Sequence, residues 1–146
     1  MKHLPGSRAD QGSAVVEMVL LAPVLLLFVL MVIFGGRWAI AQQAVQSAAS
    51  EAARAASLAR APGEAAGDAT SAATTSLTNQ KVRCAPLDAT VDTSGFAAAV
   101  GGDATVSATV TCVVDMSDIS APGIPGSRTL TSTATSPLDT YRARTG

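Results

Sequence analysis

Gly12-Ser13-Ala14-Val15-Val16-Glu17-Met18-Val19-Leu20-Leu21-Ala22-Pro23-Val24-Leu25-Leu26-Leu27 opens the run that decides how the rest of the chain is read. Residues 18–36 are 19 positions without a charge, and thirteen of them are Leu, Val, Ile or Phe. As a helix the run spans about 28 Å, close to the hydrocarbon thickness of a bilayer. On an insertion scale those thirteen side chains contribute on the order of −4 to −8 kcal/mol. Two residues work against insertion. Glu17 places a carboxylate at the head of the run, which is unfavourable unless it reaches the interface or meets a partner. Pro23 removes a backbone donor and is expected to kink the helix.

Working outward, Lys2, Arg8 and the amino terminus precede the run, offset by Asp10, and Arg37 follows it closely. Positive-inside reasoning puts the leader in the cytoplasm and the chain after about residue 37 outside. The alternative, a buried helix of a soluble domain, needs large apolar side chains to cover it. Those are scarce downstream, where the apolar residues are mainly Ala and Val and the aromatics are Phe96 and Tyr141. Such a domain buries little area per side chain and is marginal alone.

Residues 37–61 are rich in Ala and free of Gly and Pro, which predicts that the helix continues. Ala41, Val45, Ala48, Ala49, Ala52, Ala56 and Ala59 share one face, and Gln43, Gln46, Ser50 and Arg54 another. Pro62-Gly63 is expected to stop it. Residues 62–80 read as a linker or a weak helix over 64–77, since Gly67 and several Thr lower helix propensity. Residues 81–146 turn to strand and turn chemistry. The clearest strand is 105–114, with Val106, Ala108, Val110, Cys112 and Val114 on one side; 89–92 and 128–135 are further candidates. Gly101-Gly102-Asp103 reads as a turn and Pro122-Gly123-Ile124-Pro125-Gly126 as a loop. The expected class is α+β: a long N-terminal transmembrane helix running into an Ala-rich helix, then three or four antiparallel strands.

The opening string, Gly12, four residues, Glu17, then an apolar helix with Pro23 after a basic leader, resembles the class III signal of bacterial prepilins. Its fuller form closely resembles the TadE-like proteins, minor pseudopilins of the Tad (tight adherence) pilus machinery. That resemblance covers about a quarter of the chain. It implies residues 1–12 as a cleaved leader, 13–36 as the membrane helix, and a cut by a prepilin peptidase between Gly12 and Ser13. Gly suits that position because its backbone lies extended in a protease cleft without a side-chain clash. It implies that Glu17 sets the register of packed helices by meeting the new amino group on Ser13 of a neighbouring subunit. It implies other pilins or pseudopilins and membrane lipid as partners, and a single-pass protein of the cytoplasmic membrane that enters a pilus. Cleavage at Gly12 leaves 134 residues, which suits a minor rather than a major pilin.

Two other readings stand beside this one. Ala39-Ile40-Ala41 is an A-x-A triplet, so signal peptidase could cut after Ala41 and release a secreted domain, although the apolar run is longer than a signal peptide needs. A membrane-anchored surface or binding protein unrelated to pili has the same span.

Cys84 and Cys112 lie on the non-cytoplasmic side in this topology, where a disulfide persists; two buried free thiols are the alternative. No enzyme is expected. The single histidine, His3, is in the leader, so no Ser/His/Asp or Cys/His set can form downstream. No cofactor or metal is expected: Asp115-Met116-Ser117-Asp118 lacks the ligand count and glycine of a calcium loop. A net charge of −1 with scattered basic residues argues against a nucleic-acid partner, and nothing marks a small-molecule substrate.

Overall fold

The computed structural model describes residues 10–115 and 126–141, with side chains from Val15 onward. Lys2, His3 and Arg8 of the leader, residues 116–118 and most of the 122–126 loop lie outside the described residues. The elements in order are α1 (Asp10–Leu58), α2 (Pro62–Asn79), β1 (Cys84–Asp92), a one-turn 3-10 helix (Ser94–Ala97), β2 (Thr105–Asp115) and β3 (Ser127–Pro137). The chain divides into two compact units, Met1–Trp38 and Ala39–Gly146.

The first unit is the N-terminal part of α1. Every large apolar side chain of residues 15–33 is between 43% and 75% exposed. Pro23 sits inside the helix, so the carbonyl of Val19 lacks its usual donor four residues on. Among the described residues nothing covers this helix, which is apolar on all sides, as a helix in a non-aqueous surrounding would be.

The second unit inverts this pattern. Ala41, Ala44, Val45, Ala48, Ala49, Ala52, Ala53 and Ala56 of α1 are buried, while Gln43, Gln46, Ser50 and Arg54 are exposed. The small-residue face is as expected from Ala41 to Ala56, widened by Ala44 and Ala53, but Ala59 falls beyond the helix and is only half-buried. Its end differs: α1 stops at Leu58, and Pro62-Gly63 does not stop it but begins α2. Pro is harmless in a first turn, where its missing donor has no partner to serve. It also disfavours a helical residue before it, and Ala61 is extended (φ −131, ψ 148).

Residues 62–79, expected as a linker or weak helix, form an 18-residue helix. Ala65, Ala69, Ala73 and Leu77 recur every four residues and are buried in a single stripe. Thr70, Thr74 and Thr78 donate their hydroxyls to the carbonyls of Ala66, Thr70 and Thr74, each at 2.8 Å, so the threonines are satisfied within the helix. Packing of the alanine stripe outweighs the low propensity. The helix closes with Lys81 at φ 57, the Lys81 N–H on the Thr78 carbonyl and the Val82 N–H on the Leu77 carbonyl, both 3.0 Å.

The sheet is antiparallel with order β1-β2-β3. Val106, Ala108, Val110, Cys112 and Val114 of β2 are buried on one face, as their alternation predicts. The helices supply the covering layer: α2 packs on β1, and the Ser136 hydroxyl of β3 donates to Ser57 near the end of α1 at 3.1 Å. The solvent face carries threonine rows, with hydroxyl contacts between Thr109 and Thr133 (2.8 Å) and between Thr111 and Thr131 (3.2 Å). β1 starts earlier and β3 ends later than the alternation alone predicts. Cys84 pairs with Val114 across an irregularity before Leu87, and it is bonded to Cys112 with Cα atoms 5.1 Å apart. The disulfide, not side-chain pattern, holds the start of β1.

Phe96 and Leu138 are buried at one end of the sheet. The Asp92 carboxylate accepts the Ser94 backbone N–H at 2.9 Å, starting the 3-10 turn that carries Phe96. That bond holds its carboxyl below the usual aspartate value. A lowered folded-state value means that the carboxylate contributes stability at neutral pH and loses it as pH falls through that value. A carboxyl-carbon NMR titration of Asp92 is expected to give a midpoint below the ordinary aspartate value, and one at or above it would remove the Ser94 bond from the account. Gly95 has no room for a side chain: a Cβ there would collide with the Thr105 carbonyl oxygen and lie 3.2 Å from Leu138 Cδ1. Gly95→Ala is expected to cost about 1–3 kcal/mol, read as a lower urea midpoint.

Candidate functional site

The site residues expected from the sequence, apart from the cysteines, all lie on the N-terminal part of α1. Gly12 and Ser13 lie in its first helical turn, where backbone donors have no partners within the helix and the chain opens most easily. Glu17 is exposed one turn beyond Ser13. Residues four apart share a helix face, and helical side chains lean toward the N-terminus, so the Glu17 carboxylate leans toward the Ser13 end. Pro23 follows within the same helix, a turn and a half on. The structure thus strings Gly12, Ser13, Glu17 and Pro23 along one element just ahead of an uncovered apolar band.

That band is long and apolar enough to cross a membrane, with mean hydropathy 3.0 in its best window and none of the window buried. At its far end Gly35, Gly36, Arg37 and Trp38 precede the first buried residue, Ala41. Gly35 and Gly36 meet no neighbouring atom where a Cβ would be, so nothing described requires glycine there.

Elsewhere the chemistry is sparse. Cys84 and Cys112 are joined and there is no free cysteine. Among the described residues no three of His, Cys, Asp or Glu stand close enough to hold a metal ion. No polar or charged side chain is buried among them either. A groove of about 550 Å³ between α2 and β1 is lined by Thr and aliphatic side chains, the bonded Cys84, Lys81 and Arg83. It holds no pairing of a nucleophile with a base. Pattern alone does not single out Lys81: its left-handed backbone depends on how α2 ends, and glycine is the residue that ordinarily signals such an end.

Fold and site together define the class: an α+β chain with one N-terminal helix able to anchor it in a membrane and a small disulfide-bonded domain after it. Residues 12–54 match the family described as TadE-like protein, the family that the opening string resembles. The matched segment begins at Gly12, contains the whole apolar band, and ends at Arg54, an exposed residue in the stretch of α1 that carries the buried alanine face. No curated protein and no solved structure matches the chain.

Proposed function

We propose that the chain is a minor pseudopilin of a Tad-type (type IVc) pilus, a structural subunit with no catalytic step of its own. A prepilin peptidase removes residues 1–12, the helix from Ser13 holds the protein in the cytoplasmic membrane with its disulfide-bonded domain outside, and other pilins or pseudopilins pack against it during assembly. The observation that carries this reading is the coincidence of three things at one place. The TadE-like match starts at Gly12, Glu17 stands exposed at the head of the span, and the large side chains of residues 15–33 are uncovered.

Glu17 is the assembly residue in this reading. A carboxylate and an ammonium in lipid are each costly alone and tolerable as a pair. The amino group that cleavage creates on Ser13 of a neighbouring subunit supplies the partner and fixes the axial register. Glu17→Ala is therefore expected to leave cleavage intact while cutting incorporation into pili by about tenfold or more, the equivalent of losing about 1.4 kcal/mol. Quantitative immunoblots of sheared pili against membrane fractions measure this, and wild-type incorporation of the variant would count against the register role.

The secreted-domain reading fits less well. The bond after Ala41 lies within α1, and a cut there would strip Ala41 from the buried face that continues through Ala44 and Val45.

A further inference from the structure

The two edges of the sheet are built differently. β1 carries Pro86, breaks register between Cys84 and Leu87, and packs against α2. These are the features that keep an edge strand from pairing with another chain. β3 lacks the proline and the register break between Thr129 and Ser136: it pairs with β2 residue for residue from Ser127 to Pro137 and carries no charge between Arg128 and Asp139. Among the described residues no strand lies on its outer side. An eleven-residue, regular edge, uncharged beyond Arg128, is a template for a further strand.

We propose that β3 is a self-association edge, pairing antiparallel with β3 of a second copy of this chain across a two-fold axis at Thr133. The second copy is favoured by self-complementarity. Pairing about Thr133 sets Thr131 opposite Thr135 and Thr129 opposite Pro137 on the solvent face. Arg128 of each copy then falls opposite Leu138, just beyond the strand end at Pro137, and no like charges face each other along the pairing. The threonine rows of one sheet then continue into the next, as Thr109 already meets Thr133 within the sheet. A two-fold interface uses the same patch twice, and membrane anchoring raises the local concentration that it needs. This pairing rests on the described sheet and holds whether or not the leader is cleaved.

The test uses the full chain in membranes of the producing cells and after reconstitution into liposomes. Because the native cysteines are bonded to each other, Thr133→Cys introduces the sole free thiol. A short bis-maleimide is expected to give a product of twice the chain mass from Thr133→Cys, at least fivefold more than from Thr90→Cys on the opposite edge strand. Adding Thr131→Lys and Thr135→Lys, which sets like charges opposite each other, is expected to suppress the product. Mixing that chain with one carrying Thr133→Cys, Thr131→Glu and Thr135→Glu is expected to restore it. Protection of the outer domain from trypsin confirms that each variant is folded. Equal yields at Thr133 and Thr90, an adduct of any other mass, or indifference to the charge pairs would overturn the proposal.

Discussion

Removing the disulfide, by Cys84→Ala with Cys112→Ala, is expected to destabilise the outer domain by about 3.5 kcal/mol, from the chain entropy of the loop it closes. The two cysteines are 28 residues apart, and the bridge joins the start of β1 to the buried face of β2. The loss is large relative to the domain because the core is built from small side chains. Eleven of the residues buried there are alanines, and the largest fully buried side chains are Val45, Val106, Val110 and Cys112. Small residues withdraw little apolar area, so little other stabilisation stands in reserve. Pulse proteolysis of the full chain in detergent across a urea series measures this. A midpoint unchanged from wild type would show that β1 is held by its pairing alone. The start of β1 around Cys84 should loosen first, since its register is irregular up to Leu87.

Gly12→Val is expected to slow leader removal by about 10- to 100-fold. The branched side chain must be accommodated next to the scissile bond, and a clash of about 1–3 kcal/mol translates into that range of rate. Gly12→Ala should fall between. The readout is the fraction of chains retaining residues 1–12 after a fixed time with a prepilin peptidase. Normal processing of Gly12→Val would remove Gly12 from the site. Gly12→Val and Glu17→Ala should also differ in kind, because the first blocks the cut and the second blocks helix packing after the cut.

The parts of this chain that are legible in its sequence are those governed by one-dimensional patterns. A span needs length and the absence of charge, and both can be counted along residues 18–36. The alanine face of α1 and the alternation of β2 express periods of 3.6 and 2. The illegible parts depend on packing and hydrogen bonding that residue propensities do not display. Helix α2 is formed against its propensity by a buried Ala65, Ala69, Ala73 and Leu77 stripe, and Thr70, Thr74 and Thr78 are accommodated because their hydroxyls bond within the helix. Pro62 is ambiguous as a signal, because the same residue ends one helix or begins another depending on where the preceding turn closes. Gly95 matters through the Thr105 carbonyl ten residues later and Leu138 beyond it. The candidate site is legible as a string of Gly12, Ser13, Glu17 and Pro23. The partner proposed for Glu17 belongs to another chain, so a single chain displays only its exposed carboxylate.

The most direct measurement is the N-terminus of the protein produced with and without a prepilin peptidase, read by intact mass and N-terminal sequencing. With the peptidase, a chain beginning at Ser13 with 134 residues is expected; without it, the full 146. A chain beginning at Gln42, or one that keeps residues 1–12 in the presence of a peptidase active on a control prepilin, would contradict the pseudopilin reading.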